Sequence, residues 1–292
     1  MKQVRLYVPA TIGNVGPGFD VLGLALDGLG NTYKLAVCDD ASKVVSVTGI
    51  DVERLPQNPE KNLTLLAADN MAQSLGKVWH FALMVNQELP VGGGLGSSAA
   101  ACLAGAYGAY CLVTGEQPDN NAQKQILDQA LILEGHLDNL APACFGGLTV
   151  SSPAGVSKVS EGCPLWVVVL LPSSRLSTKL ARSVLPKELP QADWVRQMAL
   201  SCALVCAWQQ GDALGISKAL VDPYAEPRRA HLIPDFYELK DSALKAGALG
   251  CSISGAGPSI FALFDDRLAA YDFARSHQGH VGAIAKEGIR LC

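Results

Sequence analysis

Apolar residues recur along the chain with two spacings, and each spacing predicts a different kind of element. Alternation is clearest on the strand face formed by Trp79, Phe81, Leu83 and Val85. Such patterns predict strands over residues 4–8, 34–38, 44–48, 78–85, 165–171, 249–254, 259–264 and 282–291. Helical spacing predicts helices over residues 62–75, 97–113, 119–134, 178–184, 193–210, 234–246 and 267–277. Strands mixed with helical connections indicate an α+β protein with two layers in each domain.

Residues 89–115 contain no charged residue, so this segment resembles a membrane span. Its first part carries Pro90 and a run of glycines, which do not support a stable helix. The remaining residues 97–113 include Gly105 and Gly108 and are shorter than the ~20 apolar residues of a typical span. We therefore expect a helix buried in the core of a soluble protein, with no membrane association.

A chain of 292 residues is long enough for one large domain or two ordinary ones. The stretch Ser-Ser-Pro-Ala-Gly-Val-Ser at residues 151–157 interrupts the strongly apolar pattern and is the best boundary candidate. It predicts an N-terminal domain over residues 1–155 and a C-terminal domain over residues 156–292.

Charge and cysteine content narrow the classes of function. The 23 basic and 27 acidic side chains give a net charge of -4, so no basic surplus indicates nucleic acid or an anionic membrane as a partner. The nine cysteines are odd in number and form no C-x-x-C pair, which is typical of buried thiols in a reducing compartment. The first residues lack the apolar region of a secretory signal. We therefore expect a cytoplasmic protein.

A glycine-rich segment between a predicted strand and a predicted helix is the first candidate for chemistry. It consists of Pro90, Val91, Gly92, Gly93, Gly94, Leu95, Gly96, Ser97, Ser98, Ala99 and Ala100. Glycines allow backbone amides to approach an anion, and the first turn of a helix presents unpaired N–H groups. The segment lacks both the Gly-Lys-Ser/Thr of a Walker A loop and a complete dinucleotide fingerprint. It predicts phosphate binding, with a turn that serves only close packing as the alternative.

Two further segments concentrate polar residues among apolar neighbours. Residues 8–23 form a long predicted loop with several glycines, in which Asn14 and Asp20 are the polar members. A polar loop at a helix end contains Glu134, His136, Asp138 and Asn139. This second segment can hold a metal, an acid–base group or only a helix end. Asn14 and Asp20 can equally be solvated residues of a turn.

Together these segments resemble the GHMP kinases, named for galactokinase, homoserine kinase, mevalonate kinase and phosphomevalonate kinase. The glycine-rich segment is similar to their ATP phosphate loop, and Ser254-Gly-Ala-Gly-Pro-Ser259 is similar to their third motif. Within the superfamily the chain most resembles the homoserine kinase family, through residues 9–20, 135–142, 177–186 and 226–234. The resemblance implies an ATP-binding domain and a ferredoxin-like second domain, with the active site in the cleft between them.

The resemblance also implies a reaction, in which ATP phosphorylates the side-chain hydroxyl of L-homoserine on the route to threonine. Asp20 and Asn14 would hold the ammonium group of the substrate. Arg182 and Arg229 would hold its carboxylate, to which a planar guanidinium is well matched. The acceptor pocket would be completed by Thr178, His136 and Gly257.

At the reacting end the resemblance places Asn139 near the hydroxyl. Ser98 and Glu134 are the candidates for Mg²⁺, since a hard cation prefers oxygen ligands and bridges phosphate oxygens. Asn62 is the candidate contact for adenine. Relatives in the superfamily carry an aspartate base near the position of Asp138, whereas homoserine kinases do not rely on one, so the role of Asp138 is left open.

One residue departs from the family pattern. Arg228 stands where the family usually has Tyr, which leaves open whether Arg228 or Arg229 reaches the substrate.

The resemblance further implies a homodimer. The alternative functions are a kinase of the same superfamily for mevalonate or a sugar, a nucleotide-binding module without turnover, and a structural protein.

Overall fold

The protein contains two β-sheets, each covered by helices. Its computed structural model describes residues 2–159, 164–172 and 175–292. Numbered along the described residues, the strands are β1 (Gln3–Gly13), β2 (Leu22–Cys38), β3 (Lys43–Gly49), β4 (His80–Gln87), β5 (Leu148–Ser152), β6 (Gly155–Lys158), β7 (Trp166–Leu170), β8 (Gly250–Ile253), β9 (Ile260–Phe264), β10 (His280–Ala283) and β11 (Arg290–Leu291).

Short polar side chains begin several helices by accepting hydrogen bonds from backbone N–H groups of the first turn. Asp119, Ser177, Asp212 and Asp266 act in this way. Within the described residues the helices are α1 (Leu63–Ser74), α2 (Ser97–Thr114), α3 (Asn120–Glu134), α4 (Leu137–Phe145), α5 (Thr178–Ser183), α6 (Gln191–Gln210), α7 (Ala213–Ala219), α8 (Glu226–Arg229), α9 (Phe236–Lys245) and α10 (Arg267–Ser276).

The first sheet has the strand order β11-β1-β2-β4-β3, with β5 beside β2 and β6 beside β5. Its neighbouring strands are antiparallel except β3 and β4, which run parallel. The register of β1 against β2 shifts between Pro9 and Ala10, where proline has no N–H for the ladder. Beyond that bulge β1 continues to Gly13, which brings its end to the glycine-rich segment.

The second sheet has the order β10-β7-β9-β8 and is antiparallel throughout. Helices α9 and α10 pack on it around a separate apolar core that includes Val168, Ile260, Phe264 and Phe273. The turn between β8 and β9 covers residues 254–259 and projects toward the first sheet, where Gly255 N donates to Gly13 O at 3.0 Å. The α+β fold class predicted from the sequence is confirmed.

Helix α2 forms the centre of the larger core. It is long and apolar enough to cross a membrane, yet 67% of its residues are buried inside the protein, against α1, α3 and the first sheet. A Cβ at Gly105 would collide with the backbone carbonyl oxygen of Thr64, so the close contact between α1 and α2 requires glycine there. The predicted buried core helix is confirmed.

Every predicted helix is present, with bounds that differ from the prediction by at most two residues, but several other predictions were wrong. The loop predicted over residues 8–23 is shorter, because β1 runs to Gly13 and β2 begins at Leu22. The polar loop predicted at residues 136–139 is instead the start of α4, with His136 at its N-cap. Asn14 and Asp20 remain in the short turn between β1 and β2, and together with His136, Asp138 and Asn139 they line a cleft.

Three further differences concern the second half of the chain. The boundary candidate at residues 151–157 lies in the β5–β6 hairpin. The strand predicted over residues 282–291 is two strands, β10 and β11, which pair with different sheets. The short helices α7 and α8 lacked the repeated apolar spacing that would have predicted them. The division into domains at residues 155 and 156 stays a prediction.

The cysteines in the described residues are free thiols, in agreement with the absence of disulfides expected from their number. Cys102, Cys111, Cys144 and Cys251 are buried, and burial raises the pKa of each thiol. The expectation of burial was wrong for Cys202, Cys206 and Cys292, which are exposed, while Cys38 is half-buried. Cys163 lies outside the described residues.

Two glycines of α2 allow a direct test of this packing. Gly105→Ala places a methyl group against the Thr64 carbonyl, whereas at Gly108 a Cβ meets only side-chain methyl groups of Leu35, Leu6 and Val4 at 3.0–3.4 Å. We expect Gly105→Ala to destabilise the protein by about 1–3 kcal/mol, as overpacking does. Gly108→Ala should stay within about 1 kcal/mol of wild type because alanine has the higher helix propensity.

Thermal unfolding followed by circular dichroism at a fixed scan rate measures both variants. Equal midpoints for the two would contradict the backbone contact between α1 and α2.

Candidate active site

The glycine-rich segment leads from β4 into α2 and presents the start of that helix to a cleft. Gly96 is the N-cap, with a φ of 72°, and the bond from Ala100 N to Gly96 O is 2.8 Å long. The N–H groups of Ser97, Ser98 and Ala99 precede this bond, so they have no partner within the helix. Together with the positive end of the helix dipole they form a site suited to an anion.

The turn at residues 254–259 holds the carbonyl groups of the same segment. Ser254 Oγ donates to Gly94 O at 2.6 Å, and both the N–H and the hydroxyl of Ser259 donate to Gly93 O. Gly94 has a φ of 83°, and a Cβ there would lie 2.6 Å from Ser254 O. Glycine is therefore required for both the backbone conformation and the close approach of the two sheets.

Only part of the segment lines the cleft, namely Gly92, Gly93, Gly94, Gly96, Ser97 and Ser98. Pro90, Leu95, Ala99 and Ala100 are buried, so only their backbone groups are available to a ligand. The N–H of Val91 donates to Asp51 Oδ2 at 2.9 Å. Nucleotide contacts at these five residues stay predictions.

Two carboxylates lie on the same side of the cleft as the helix start. Ser98 Oγ donates to Glu134 Oε2 at 2.5 Å, which joins the first turn of α2 to the end of α3. Burial raises the pKa of the Glu134 carboxyl to about 7, with the charge of Asp138 acting in the same direction and the bond from Ser98 opposing it. The hydroxyl and carboxylate together offer hard oxygen ligands for a divalent cation.

Asp138 lies deeper and is 5% exposed. Burial raises its pKa to about 6, the charge of Asp20 raises it further, and His136 and Arg182 oppose the shift. Next to it, Asn139 Oδ1 accepts a hydrogen bond from Thr11 Oγ1 at 2.9 Å. The Asn139 side chain also hydrogen-bonds to Asp138, which opposes the rise in the pKa of that carboxyl.

The other side of the cleft carries opposite charges in contact. Arg182 on α5 binds Asp20 through two nitrogens, at 2.7 Å for Nη2–Oδ1 and 3.0 Å for Nη1–Oδ2. The Phe19 ring lies against two guanidinium groups, with its centroid 5.6 Å from the Arg182 carbon and 5.4 Å from that of Arg229. Such cation–π contacts hold both arginines in place.

The two adjacent arginines, Arg228 and Arg229, lie in different surroundings. Arg229 is 2% exposed and lines the cleft, where Nη1 donates to Gly255 O at 3.0 Å and Nε to Ala181 O at 2.9 Å. Burial and the charge of Arg182 lower the pKa of Arg229. Arg228 instead donates to Tyr224 O at 2.6 Å and does not line the cleft. The arginine that lines the cleft is therefore Arg229.

The loop between β1 and β2 is held by its own polar groups and by α6. Asn14 uses both ends of its amide, since Nδ2 donates to Gly255 O at 2.8 Å and Oδ1 accepts from Asp20 N at 2.9 Å. Gln197 and Ser201 donate to the carbonyl oxygen of Pro17. Asn14 and Asp20 have φ values of 69° and 57°, a region that Asn and Asp occupy more readily than most residues.

The cleft formed by these groups is open to solvent and is lined by residues from turns of both sheets and from the glycine-rich segment. The structure brings together there most of the residues predicted from the sequence. These are Asn14, Asp20, Gly92, Gly93, Gly94, Gly96, Ser97, Ser98, Glu134, His136, Asp138, Asn139, Thr178, Arg182, Arg229 and Gly257.

Asn62 is not among the residues that line this cleft. Its side chain caps α1 by accepting from Thr64 N and Leu65 N, and it donates to Pro56 O at 3.0 Å. An adenine contact at Asn62 stays a prediction. Phe19, Thr11 and Gly255 were missed because an isolated aromatic, hydroxyl or glycine carries no chemical pattern in a sequence.

Asp51 was also missed, and it connects the two halves of the site. Its Oδ2 accepts from Val91 N at the start of the glycine-rich segment, while its Oδ1 pairs with Arg175 Nη2 at 2.8 Å. Arg175 lies just before α5, which carries Thr178 and Arg182. A single carboxylate thus links the anion-binding side of the cleft to the side that carries the paired charges.

Comparison with known proteins finds two matching families, one in each half of the chain. The family described as GHMP kinases N terminal domain matches residues 62–147, and that described as GHMP kinases C terminal matches residues 203–281. The homoserine kinase of Thermococcus kodakarensis is 37% identical over 90% of this chain and 89% of its own length. That of Chlorobaculum tepidum is 36% identical over 92% of this chain and 88% of its own length.

A crystal structure of homoserine kinase from Cytophaga hutchinsonii is similar throughout. It superposes with a TM-score of 0.92 at 32% identity and covers 100% of this chain and 98% of its own. The agreement extends over both sheets, so the arrangement of the cleft between them is shared as well as the separate halves.

The raised pKa of Glu134 makes a prediction about stability. In the unfolded chain this carboxyl ionises near its ordinary pKa of 4.5, whereas in the folded protein it ionises near 7. The folded state therefore binds more protons between these values, and ionised Glu134 destabilises the fold above pH 7. We expect Glu134→Gln to raise the unfolding midpoint by roughly 2–4 °C at pH 8 and by much less at pH 5.

Glu116→Gln, at an exposed position on the loop after α2, is the matched control and should change the midpoint equally at both pH values. A Glu134→Gln effect that is the same at pH 5 and pH 8 would show that burial does not penalise this charge.

Proposed function

This chain belongs to the GHMP kinase family, and from that premise we propose that it is a homoserine kinase, which transfers the γ-phosphoryl group of ATP to the side-chain hydroxyl of L-homoserine in threonine biosynthesis. One observation carries the choice of acceptor. Beside the helix start that suits phosphate, the cleft holds a carboxylate and two guanidinium groups, from Asp20, Arg182 and Arg229. An amino acid with a free hydroxyl supplies the complementary charges.

The nucleotide side of the cleft is built from backbone groups. The N–H groups at the start of α2 and the hydroxyl of Ser97 offer donors to phosphate oxygens, whereas the Ser98 hydroxyl already donates to Glu134. Ser97 Oγ accepts from Gln87 Nε2 at 2.8 Å, so its own proton remains available to donate. These donors are fixed before ATP arrives, because the carbonyl groups of the segment are already bound by Ser254 and Ser259.

The residues present fit a magnesium ion held jointly with phosphates. Mg²⁺ is usually bound by one or two protein oxygens together with substrate phosphates and waters. Ser98 Oγ and the Glu134 carboxylate supply such oxygens next to the helix start. The ion neutralises charge on the phosphates when it is bound. Within the described residues no cluster of three His, Cys, Asp or Glu side chains forms a separate metal site.

The acceptor side recognises a zwitterion. Asp20, positioned by Asn14, binds the ammonium group, and Arg182 and Arg229 bind the carboxylate. His136, Thr178 and Gly257 complete the wall of this pocket. Mevalonate carries a carboxylate but no ammonium group, so it would leave Asp20 without a cationic partner. This difference favours an amino acid over the acceptors of the other GHMP kinases.

The reacting hydroxyl lies between these two sides, near Asn139 and Asp138. Phosphoryl transfer depends mainly on alignment and on stabilisation of charge, so a strong base is not required. Asn139, oriented by Thr11, donates a hydrogen bond at this point. Asp138 is ionised above its pKa of about 6 and is available to accept the hydroxyl proton.

A homodimer, a cytoplasmic location and the two predicted domains are kept as further proposals.

A coupled assay of ADP release with a panel of alcohols tests this function. L-homoserine should give Mg²⁺-dependent turnover, whereas mevalonate, galactose and L-serine should give little. Turnover that prefers mevalonate would overturn the acceptor assignment, and binding of ATP without turnover of any alcohol would indicate a nucleotide-binding module.

The two adjacent arginines provide a matched pair of variants. Arg229→Ala removes a buried group of the acceptor pocket, and losing such a charged contact costs about 2–5 kcal/mol. We expect the KM for homoserine to rise by two orders of magnitude or so, and the KM for ATP to change only a few-fold. Arg228→Ala, which alters a residue outside the cleft, should leave both constants nearly unchanged.

Steady-state kinetics with each substrate varied in turn measure the effect, with thermal unfolding as a check that both variants fold. Equal increases in the two KM values for Arg229→Ala would contradict its assignment to the acceptor.

A further inference from the structure

The two groups assigned to the opposite charges of the acceptor are bound to each other. Asp20 and Arg182 form a two-point ion pair in which their side chains are 33% and 36% exposed. In this pair, each residue therefore occupies the place of the substrate charge that the other would bind. An acceptor that binds both residues must separate them first.

The surroundings of the Asp20–Arg182 ion pair allow Arg182 to change its hydrogen-bond partner. Arg182 Nε is buried and has no hydrogen-bond partner among the described residues, so the pairing with Asp20 leaves one guanidinium donor unsatisfied. The Phe19 ring supports the guanidinium from its face and leaves the edge free to change partners. Arg229, held by two backbone carbonyls, stays in position on the same side.

We propose that the Asp20–Arg182 ion pair is an exchangeable latch that selects zwitterionic acceptors over alcohols carrying a single charge. This inference rests on the proposed function, because it takes the acceptor to be an amino acid. The latch adds a selection step to the direct contacts, since it must be opened before either residue can bind a ligand.

Counting ion pairs explains the selection. A zwitterion replaces one internal pair by two pairs with the protein, from its ammonium to Asp20 and from its carboxylate to Arg182. An acceptor with only a carboxylate replaces the internal pair by one external pair and leaves Asp20 without a partner inside a filled pocket. An uncompensated charge in such a place is costly, so the single-charged ligand is penalised beyond the contact that it lacks.

A latch and a simple contact between Asp20 and the ammonium group predict different results for the variant Asp20→Asn. Asp20→Asn opens the latch and frees Arg182, and asparagine suits the φ of 57° at this position. If the latch exists, 4-hydroxybutyrate, which is homoserine without its ammonium group, should bind this variant about 3- to 10-fold more tightly than wild type. If Asp20 only contacts the ammonium group, binding of 4-hydroxybutyrate should not change.

Ligand-observed NMR in the presence of Mg²⁺ and a non-hydrolysable ATP analogue measures these dissociation constants without requiring turnover. Asp39→Asn, which removes an exposed negative charge elsewhere on the protein, is the control for net charge and should have no effect. A double variant that combines Asp20→Asn with Arg182→Gln distinguishes a latch from direct repulsion between Asp20 and the carboxylate of the ligand. The latch predicts that the gain disappears when Arg182 is absent, whereas repulsion predicts that it persists.

The reciprocal variant gives an independent measurement. Arg182→Gln should strengthen binding of 3-aminopropan-1-ol, which is homoserine without its carboxylate, because Asp20 is then free. Unchanged or weaker binding of both single-charged ligands to their matching variants, or an equal gain in the double variant, would overturn the latch. Failure of wild-type enzyme to phosphorylate homoserine would instead overturn the proposed function, which the coupled assay detects separately.

Discussion

Two serine hydroxyls of the second sheet, those of Ser254 and Ser259, bind the carbonyl groups of Gly94 and Gly93 in the first half of the chain. A peptide group has its N–H and C=O on opposite sides, so a carbonyl that is bound on one side leaves its neighbouring amide groups directed elsewhere. Here they surround the start of α2. The proposed phosphate-binding site therefore does not belong to either sheet alone, because the second sheet holds the carbonyl groups of the segment that forms it.

The same cleft contains charges that work against the stability of the fold. Glu134 and Asp138 are carboxylates whose pKa values are raised by burial, and Arg229 is a guanidinium whose pKa is lowered for the same reason. The charged form of each is less favourable in this cleft than it would be in water. The fold therefore holds these three groups in place at a cost to its own stability.

Most of the helices could be predicted from local patterns in the sequence, and most of the cleft residues from the resemblance of short motifs to a known family. Helical spacing is local, and the motifs around Asp20, Ser98 and Asn139 are short. The missing features depend on contacts between distant parts of the chain. Thr11 and Asn139 are 128 positions apart, and no local pattern pairs them. For the same reason the loop over residues 8–23 was predicted too long, since the pairing that extends β1 involves strand β2.

The choice between Arg228 and Arg229 has a different cause. Successive residues on a helix point about 100° apart, so adjacent arginines face different surroundings. Which one faces the cleft depends on the orientation of α8, and this orientation is set by packing rather than by the residues themselves. A sequence motif can therefore contain two adjacent arginines without specifying which of them faces the cleft.

Helix α2 has a consequence for how the protein responds to its nucleotide. Its first turn offers the amides for phosphate, while the rest of it is the buried centre of the larger core. Partial unfolding that released this helix would remove the phosphate site and the core together. If nucleotide binds at the start of α2 as proposed, amide protons far from the cleft, along the middle of this helix, should exchange more slowly when it is present.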